Sequence, residues 1–114
     1  MTTDLSIVIP VLDEAPQIAV RLADLQGLRA MGVELVVADG GSEDGTVTAI
    51  DALADRVIVA PRGRAAQMNA GAAASRGRIL LFLHADTRLP DSALADILAA
   101  LGSGSDWGRF DVRI

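Results

Sequence analysis

With 114 residues, 51 % of them apolar, the chain has the length of one domain with a single sizeable core, and is small for a complete two-substrate enzyme. A net charge of −5, an aromatic content of only 3 % and the lack of any basic patch argue against a nucleic-acid surface, and the richness in Ala, Val, Leu and Gly suits helices packed on a buried parallel sheet. Cysteine is absent and histidine occurs once, which excludes disulfides, thiolate catalysis, sulfur-ligated zinc and a His-rich metal site.

The first apolar run, Leu5 to Pro10 (L-S-I-V-I-P), predicts a strand stopped by proline. Val11 to Glu14 is a loop. From Ala15 the apolar positions Ile18, Leu22, Leu25 and Leu28 recur at helical spacing as far as Gly32, so one helix is expected there, with Pro16 in its first turn. Leu35 to Ala38 predicts a second buried strand. It runs into Asp39-Gly40-Gly41-Ser42-Glu43-Asp44-Gly45-Thr46, a polar loop with Asp44 or Thr46 as the expected cap of a helix through Leu53.

Arg56 to Ala60 predicts a third strand, ended by Pro61. Arg62-Gly63-Arg64 opens a small-residue helix, Ala65 to Ser75, whose alanines allow a close approach to a sheet. Ile79 to Leu83 predicts a fully buried fourth strand that ends in the polar cluster His84, Asp86 and Thr87. Ser92 to Leu101 reads as a helix with Asp91 as its N-cap. After Gly102 to Ser105, the alternation of Phe110, Val112 and Ile114 predicts the start of another strand.

Strands alternating with helices predict an α/β fold, a Rossmann-like, mostly parallel sheet with right-handed crossovers. Parallel strands share a direction, so the loops bearing Asp13 and Glu14, Asp39 to Asp44, and His84 to Arg88 are expected at one edge, where open α/β sheets bind their ligands. Asp86 then stands at the mouth of a site, and a carboxylate there points to a hard metal; the plain alternative is a surface Asp opening a turn before Pro90. His84 is read as a metal ligand, as a donor to Asp86, or as a strand-end histidine with its own partners.

Neither a G-x-G-x-x-G fingerprint nor a Walker sequence occurs. The loop at Gly40 and Gly41 is flanked by carboxylates and suits a base or ribose better than a phosphate. Asp39 is placed to accept a hydrogen bond from a base N–H, or simply to open a turn. Arg62 and Arg64 stand at a helix start, where guanidinium groups add to backbone amides in holding a diphosphate, or else are solvated surface charges. Gln67 and Asn69 in that helix read as packing or supporting residues, and Trp107 as a packing anchor or a platform for a sugar.

Together these pieces resemble the nucleotide-sugar half of a family 2 glycosyltransferase, the inverting family with the glycosyltransferase A fold, over nearly the whole chain. Ser6 to Glu14 (S-I-V-I-P-V-L-D-E) resembles the opening I-P-x-Y-N-E, with Leu12 and Asp13 in place of Tyr and Asn. Val36 to Thr46 resembles the D-D-G-S-x-D-G-T loop; Asp39 matches its first aspartate and Gly40 replaces the second. Gly63 to Gly71 resembles G-x-x-x-A-x-N-x-G, and Ala74 to Asp86 resembles A-x-G-x-x-[IL]-x-F-L-D-x-D, with His84 in place of the first aspartate of the D-x-D signature. R-G-R-A-x-Q-M-N-A-G, L-H-A-D-T and W-G-R-F-D-V are similar to one bacterial branch labelled radical-SAM or selenodomain-associated transferases, some of whose relatives act on carotenoid acids.

The resemblance implies a UDP- or GDP-sugar donor held by Pro10, Leu12, Glu14, Asp39, Gly41, Arg62, Arg64, Asn69 and Ala85. It also implies Mg²⁺ or Mn²⁺ on Asp86, with His84 as a second candidate ligand. The acceptor is open, a lipid or carotenoid-like molecule among the options. The family's general base lies in the second half of its domain, which residues 1–114 do not reach, so the chain is expected to be a truncated donor-binding part that dimerises through the strand at 109–114 and does not transfer sugar by itself. A non-catalytic nucleotide-diphosphate module is one alternative. A sugar-phosphate nucleotidyltransferase is another, but it calls for a G-x-G-T-R-[ML] loop that Val11 to Glu14 does not provide. No signal peptide and no run of membrane-spanning length is found, so the expected compartment is the cytoplasm, with a place at the inner face of the plasma membrane as a variant.

Overall fold

The computed structural model describes residues 5–45, 48, 50–88, 92, 95 and 96. Four strands, β1 (Leu5–Val11), β2 (Glu34–Asp39), β3 (Arg56–Val59) and β4 (Ile79–Phe82), form one parallel sheet in the order β3-β2-β1-β4. β1 lies inside the sheet, and its Ile7, Val8 and Ile9 are completely buried. Both of its faces are covered, which is why it reads as an unbroken apolar run and not as an alternation.

The chain builds outward from β1 through β2 to β3, then returns to place β4 on the other side of β1. The strand order therefore reverses between β1 and β4, and beyond the carboxyl ends of such a pair an open α/β sheet has its crevice. The register is level at this edge: Val11 of β1 pairs with Asp39 of β2, which pairs with Val59 of β3. On the other side Phe82 pairs with Val8, and the ladder continues with Leu83 N–H donating to Val8 O at 3.0 Å.

Helix α1 (Ala15–Asp24) has Pro16 in its first turn, and α2 (Gln26–Ala30) follows it. The single helix expected up to Gly32 is thus broken at Leu25. Its N–H is shared between Arg21 O and Leu22 O, and the side-chain amide of Gln26 takes Leu22 O at 2.9 Å, the carbonyl its own backbone N–H needs in a continued helix. The same amide reaches Leu53 O at 2.8 Å, so the break ties the helix pair to the segment before β3.

Ile18, Leu22 and Leu25 join Ile7, Ile9, Leu35, Val37 and Ile50 in one buried cluster. Burying each such side chain contributes about 2 kcal/mol. The opposite sheet face belongs to α3 (Arg64–Ala74). Its Gly71 lies so close to β1 that an added Cβ would run into Val8 Cγ1, the close approach that the small residues of this helix predict. The fourth strand, expected to be fully buried, is instead an outer strand of the sheet among the described residues, with Leu80 and Phe82 37 % and 44 % exposed.

Of the helix expected at Ser92 to Leu101, Ala95 and Asp96 are helical and Asp96 N–H donates to Ser92 O at 2.9 Å. Asp91, the rest of that helix, Trp107 and the strand at 109–114 lie outside the described residues, as does Thr46.

Candidate functional site

The loops after β1, β2 and β3 leave the carboxyl edge of the sheet side by side, and the polar side chains of the first two bind one another. Asp39, the last residue of β2, is 2 % exposed. Its Oδ2 accepts the N–H groups of Gly41 at 3.0 Å and Ser42 at 2.9 Å, and its Oδ1 accepts the Ser42 hydroxyl. Three donors satisfy the buried charge, and a carboxylate with about four acceptor sites keeps capacity for one more donor. Asp39 thus opens a turn and also remains able to meet a base N–H, so the two sequence readings are not exclusive.

The β1 loop is sewn to this turn. Ser42 Oγ accepts Asp13 N–H at 2.8 Å, Asp13 Oδ1 accepts Glu43 N–H at 2.7 Å, and Asp44 Oδ2 accepts Ala15 N–H at 3.2 Å. Asp44 thus reaches back to the first turn of α1. Asp13 takes a left-handed backbone at φ 50°, which aspartate tolerates better than most residues. Glu14 closes the same loop by accepting Leu12 N–H at 3.1 Å. Pro10 and Leu12 are half-buried beside it, and Gly41 is exposed.

The third wall is the loop from β3 to α3. Ala60 N–H bonds Asp39 O at 2.8 Å, which places Arg62, Gly63 and Arg64 just beyond the level of Asp39. Gly63, at φ 133°, turns the chain into α3 in a conformation that favours glycine. Arg62 and Arg64 are exposed at that helix start. Asn69 is also exposed, but lies two residues from both Gln67 and Gly71, hence on the side of the helix away from the sheet; the fold does not bring it to the other site residues.

Beyond β4, residues 84–87 form a turn closed by Thr87 N–H to His84 O at 3.0 Å. His84 and Asp86 are exposed, whereas Ala85 between them is buried. Asp86 Oδ1 receives only a long 3.4 Å bond from Thr87. The described residues contain no group of three His, Asp or Glu side chains able to hold a metal, and at this turn they offer one open carboxylate with a histidine two residues away. That donor set fits Mg²⁺ or Mn²⁺, which keep waters and take substrate phosphate oxygens beside one or two carboxylates.

Two residues hold this edge together: Arg21, which the sequence does not single out, and Gln67, which it marks as a packing or supporting residue. Arg21 Nε of α1 donates to Ala85 O at 3.3 Å, linking α1 to the turn that presents Asp86. Gln67, 5 % exposed, donates from Nε2 to Val11 O at 2.8 Å and Ala38 O at 3.0 Å and accepts Gly63 N–H at 3.1 Å. A charged residue between the apolar helix positions Ile18 and Leu22 is the sequence signal for the first. An amide in an alanine-rich, sheet-facing helix is the signal for the second.

A cleft of about 470 Å³ lined by Arg29, Glu34, Asp55, Arg56 and Arg76 opens at the other end of the sheet, where β2 and β3 begin. Its carboxylates are occupied: Glu34 by Ser6 Oγ, Arg76 N–H and Arg56 Nε, Asp55 by Arg29 Nε and Leu35 N–H. It is a structural ion-pair network away from the three loops.

The fold has counterparts among solved structures. A mycobacterial protein is 28 % identical at a TM-score of 0.75, over 91 % of this chain and 38 % of its own. Glucosyl-3-phosphoglycerate synthase from Mycobacterium tuberculosis, in complex with Mn²⁺, UDP and glucosyl-3-phosphoglycerate, is 25 % identical at a TM-score of 0.72, over 88 % of this chain and 39 % of its own. The mannosyltransferase PcManGT from Pyrobaculum calidifontis, in complex with GDP-Man and Mn²⁺, has the same fold at 24 % identity and a TM-score of 0.72, over 86 % and 32 %. No curated protein sequence matches the chain, and it spans between about a third and two fifths of the length of these neighbours. The model of glycosyl transferase family 2 matches residues 6–112, nearly the whole chain, which therefore belongs to that family.

Proposed function

We propose that this chain is the donor-binding part of a metal-assisted, inverting glycosyltransferase that takes its sugar from a nucleoside diphosphate. The observation that carries the reading is the juxtaposition at one sheet edge of a buried, thrice-bonded Asp39 and, across the strand-order reversal, an open carboxylate at Asp86. Neighbours of the same fold that hold GDP-Man or UDP together with Mn²⁺ support the ligand class.

In this reading Asp39 accepts a hydrogen bond from the base, and the backbone around Pro10, Leu12, Glu14 and Gly41 lines the nucleoside. Arg62 and Arg64 place two guanidinium groups by the diphosphate at the amide-rich start of α3. Ala85 contributes backbone, since its side chain is in the core. Asp86, with His84 beside it, would hold Mg²⁺ or Mn²⁺. A divalent cation bound there neutralises charge on the leaving nucleoside diphosphate. The acceptor's general base and the acceptor wall are assigned to residues outside this chain, in keeping with its share of its neighbours' length. The radical-SAM-associated branch, a lipid or carotenoid-like acceptor and a cytoplasmic, membrane-peripheral location belong to the same proposal and rest on the motif resemblance.

Titration calorimetry with UDP and GDP, with Mg²⁺ or Mn²⁺ and with chelator, tests this. Affinity is expected to depend on the metal, Asp86→Asn to abolish that dependence, and Asp39→Ala to weaken the distinction between the two bases while leaving it intact. Equal affinity with and without chelator removes the metal from the reading, and no affinity for either diphosphate removes the donor.

A further inference from the structure

Gln67 makes three hydrogen bonds to three separate segments: the end of β1 at Val11, the end of β2 at Ala38 and the arginine loop at Gly63. Its side chain occupies the space beside Gly40. A Cβ at position 40 would lie 2.8 Å from Gln67 Oε1 and 2.9 Å from its Cδ, closer than packed atoms allow. Gly40 does not have a positive φ, so its backbone conformation does not demand glycine and the amide of Gln67 does.

Two departures from the family pattern meet in this contact. Gly40 stands where D-D-G-S-x-D-G-T has its second aspartate, and Gln67 where G-x-x-x-A-x-N-x-G has alanine. Where the pattern has a carboxylate and an alanine, this chain has a glycine and an amide that touch.

We propose that Gln67 is the positioning residue of the diphosphate loop, holding Arg62 and Arg64 at a fixed place relative to Asp39, and that Gly40 is the complementary position that admits it. The inference rests on the donor-binding reading above for its ligand. The physical reason is satisfaction of valence: a buried amide with both kinds of group engaged has one orientation, and the loop bonded to it inherits that orientation. The helix start is held by Gln67 N–H to Gly63 O at 2.8 Å, and the side-chain bond to Gly63 N–H fixes what freedom remains in the loop that carries the exposed Arg62 and Arg64, on which their value to a diphosphate depends.

The test uses the full chain with Gln67→Met, which keeps length and removes the hydrogen bonds, and Gly40→Ala alone and combined with Gln67→Ala. UDP and GDP are titrated against their nucleosides, uridine and guanosine, in the presence of Mg²⁺. Gln67→Met is expected to weaken the diphosphate on the order of tenfold and to leave the nucleoside within about threefold. Equal changes for both, or none, overturn the positioning role. Independently of any ligand, the Gly63 amide should lose hydrogen-exchange protection in Gln67→Met, and unchanged protection overturns the joint itself. Gly40→Ala should lower Tm in the parent and not in Gln67→Ala; additive losses refute the complementarity. If the unaltered chain binds neither diphosphate, the donor reading fails, whereas exchange at Gly63 and the paired substitutions still decide the coupling.

Discussion

Gly71→Ala sets two known effects of opposite sign against each other. In an exposed helix the change would stabilise by about 1 kcal/mol, because glycine is the poorer helix former. Here the new methyl is aimed at the sheet: its position conflicts with Val8 Cγ1 and lies 3.6 Å from Ala38 Cβ. Val8 is completely buried on an interior strand and, being β-branched, has little rotamer freedom with which to yield. Overpacking of this kind costs about 1–3 kcal/mol, and a conflict with a fixed interior side chain falls at about 2–3 kcal/mol of that, so the net expectation is a loss of about 1–2 kcal/mol, or roughly 5–10 °C in Tm for a domain of this size. Urea unfolding followed by circular dichroism measures it. The decisive comparison is the same change in a Val8→Ala background, itself less stable by about 2 kcal/mol. There the obstructing methyl is gone and the remaining neighbours sit at ordinary contact distance, so Gly71→Ala should turn neutral or stabilising by up to about 1 kcal/mol. A parent chain that gains stability from Gly71→Ala, or a background that leaves the loss unchanged, would refute the placement of α3 on β1.

Ser42→Ala removes both the hydroxyl that donates to Asp39 and the acceptor for Asp13 N–H; a loss of about 1–2 kcal/mol is expected in urea unfolding, with a narrower UDP-to-GDP affinity ratio and unaltered metal dependence, and Ser42→Thr should restore both. Arg21→Met keeps the buried stem but loses the bond to Ala85 O, so the metal dependence of diphosphate binding should weaken severalfold while base discrimination holds. An unchanged metal titration would deny Arg21 any part in presenting Asp86. Its surface pair with Asp24 is expected to add little, as exposed pairs do.

The legible part of the fold was the part written in apolar runs. All four strands fall within a residue or so of where Leu5 to Pro10, Leu35 to Ala38, Arg56 to Ala60 and Ile79 to Leu83 put them: β1 and β2, buried on both faces, leave an uninterrupted signature, while β3 and β4, partly exposed, are marked by short β-branched or apolar runs between turn formers. The turn formers then placed the loops, and parallel direction gathered the loops at one edge. What remained hidden was set by contacts between distant segments. The periodicity from Ile18 to Leu28 carries straight through Leu25, and the break there comes from a Gln26 amide that bonds Leu53 O, a residue whose proximity no local pattern encodes. Asp44 likewise has the composition of a cap for the helix after it, and nothing local encodes that it also accepts Ala15 N–H, 29 residues earlier.

The same division explains the site. Asp39, Gly41, Asp86 and the two arginines could be named because their chemistry belongs to the loop they stand in. Asn69 was named with them from its place in a motif, but a helix shows one face to a sheet, and its neighbours at 67 and 71 hold that face. Gln67 carries no charge and sits among alanines, so read along the chain it looks like filler; its importance appears only once Val11, Ala38 and Gly63 are seen to converge on it. Gly40 is the sharper case. One glycine among several in a turn-rich loop would be credited to backbone freedom, as is right for Gly41 at φ 98°. At position 40 the backbone makes no such demand, and the residue is small because another side chain, 27 positions along the sequence, already fills the space. A departure from a family pattern is then best read in pairs: glycine at 40 and the amide at 67 stand in contact, and each fits because of the other.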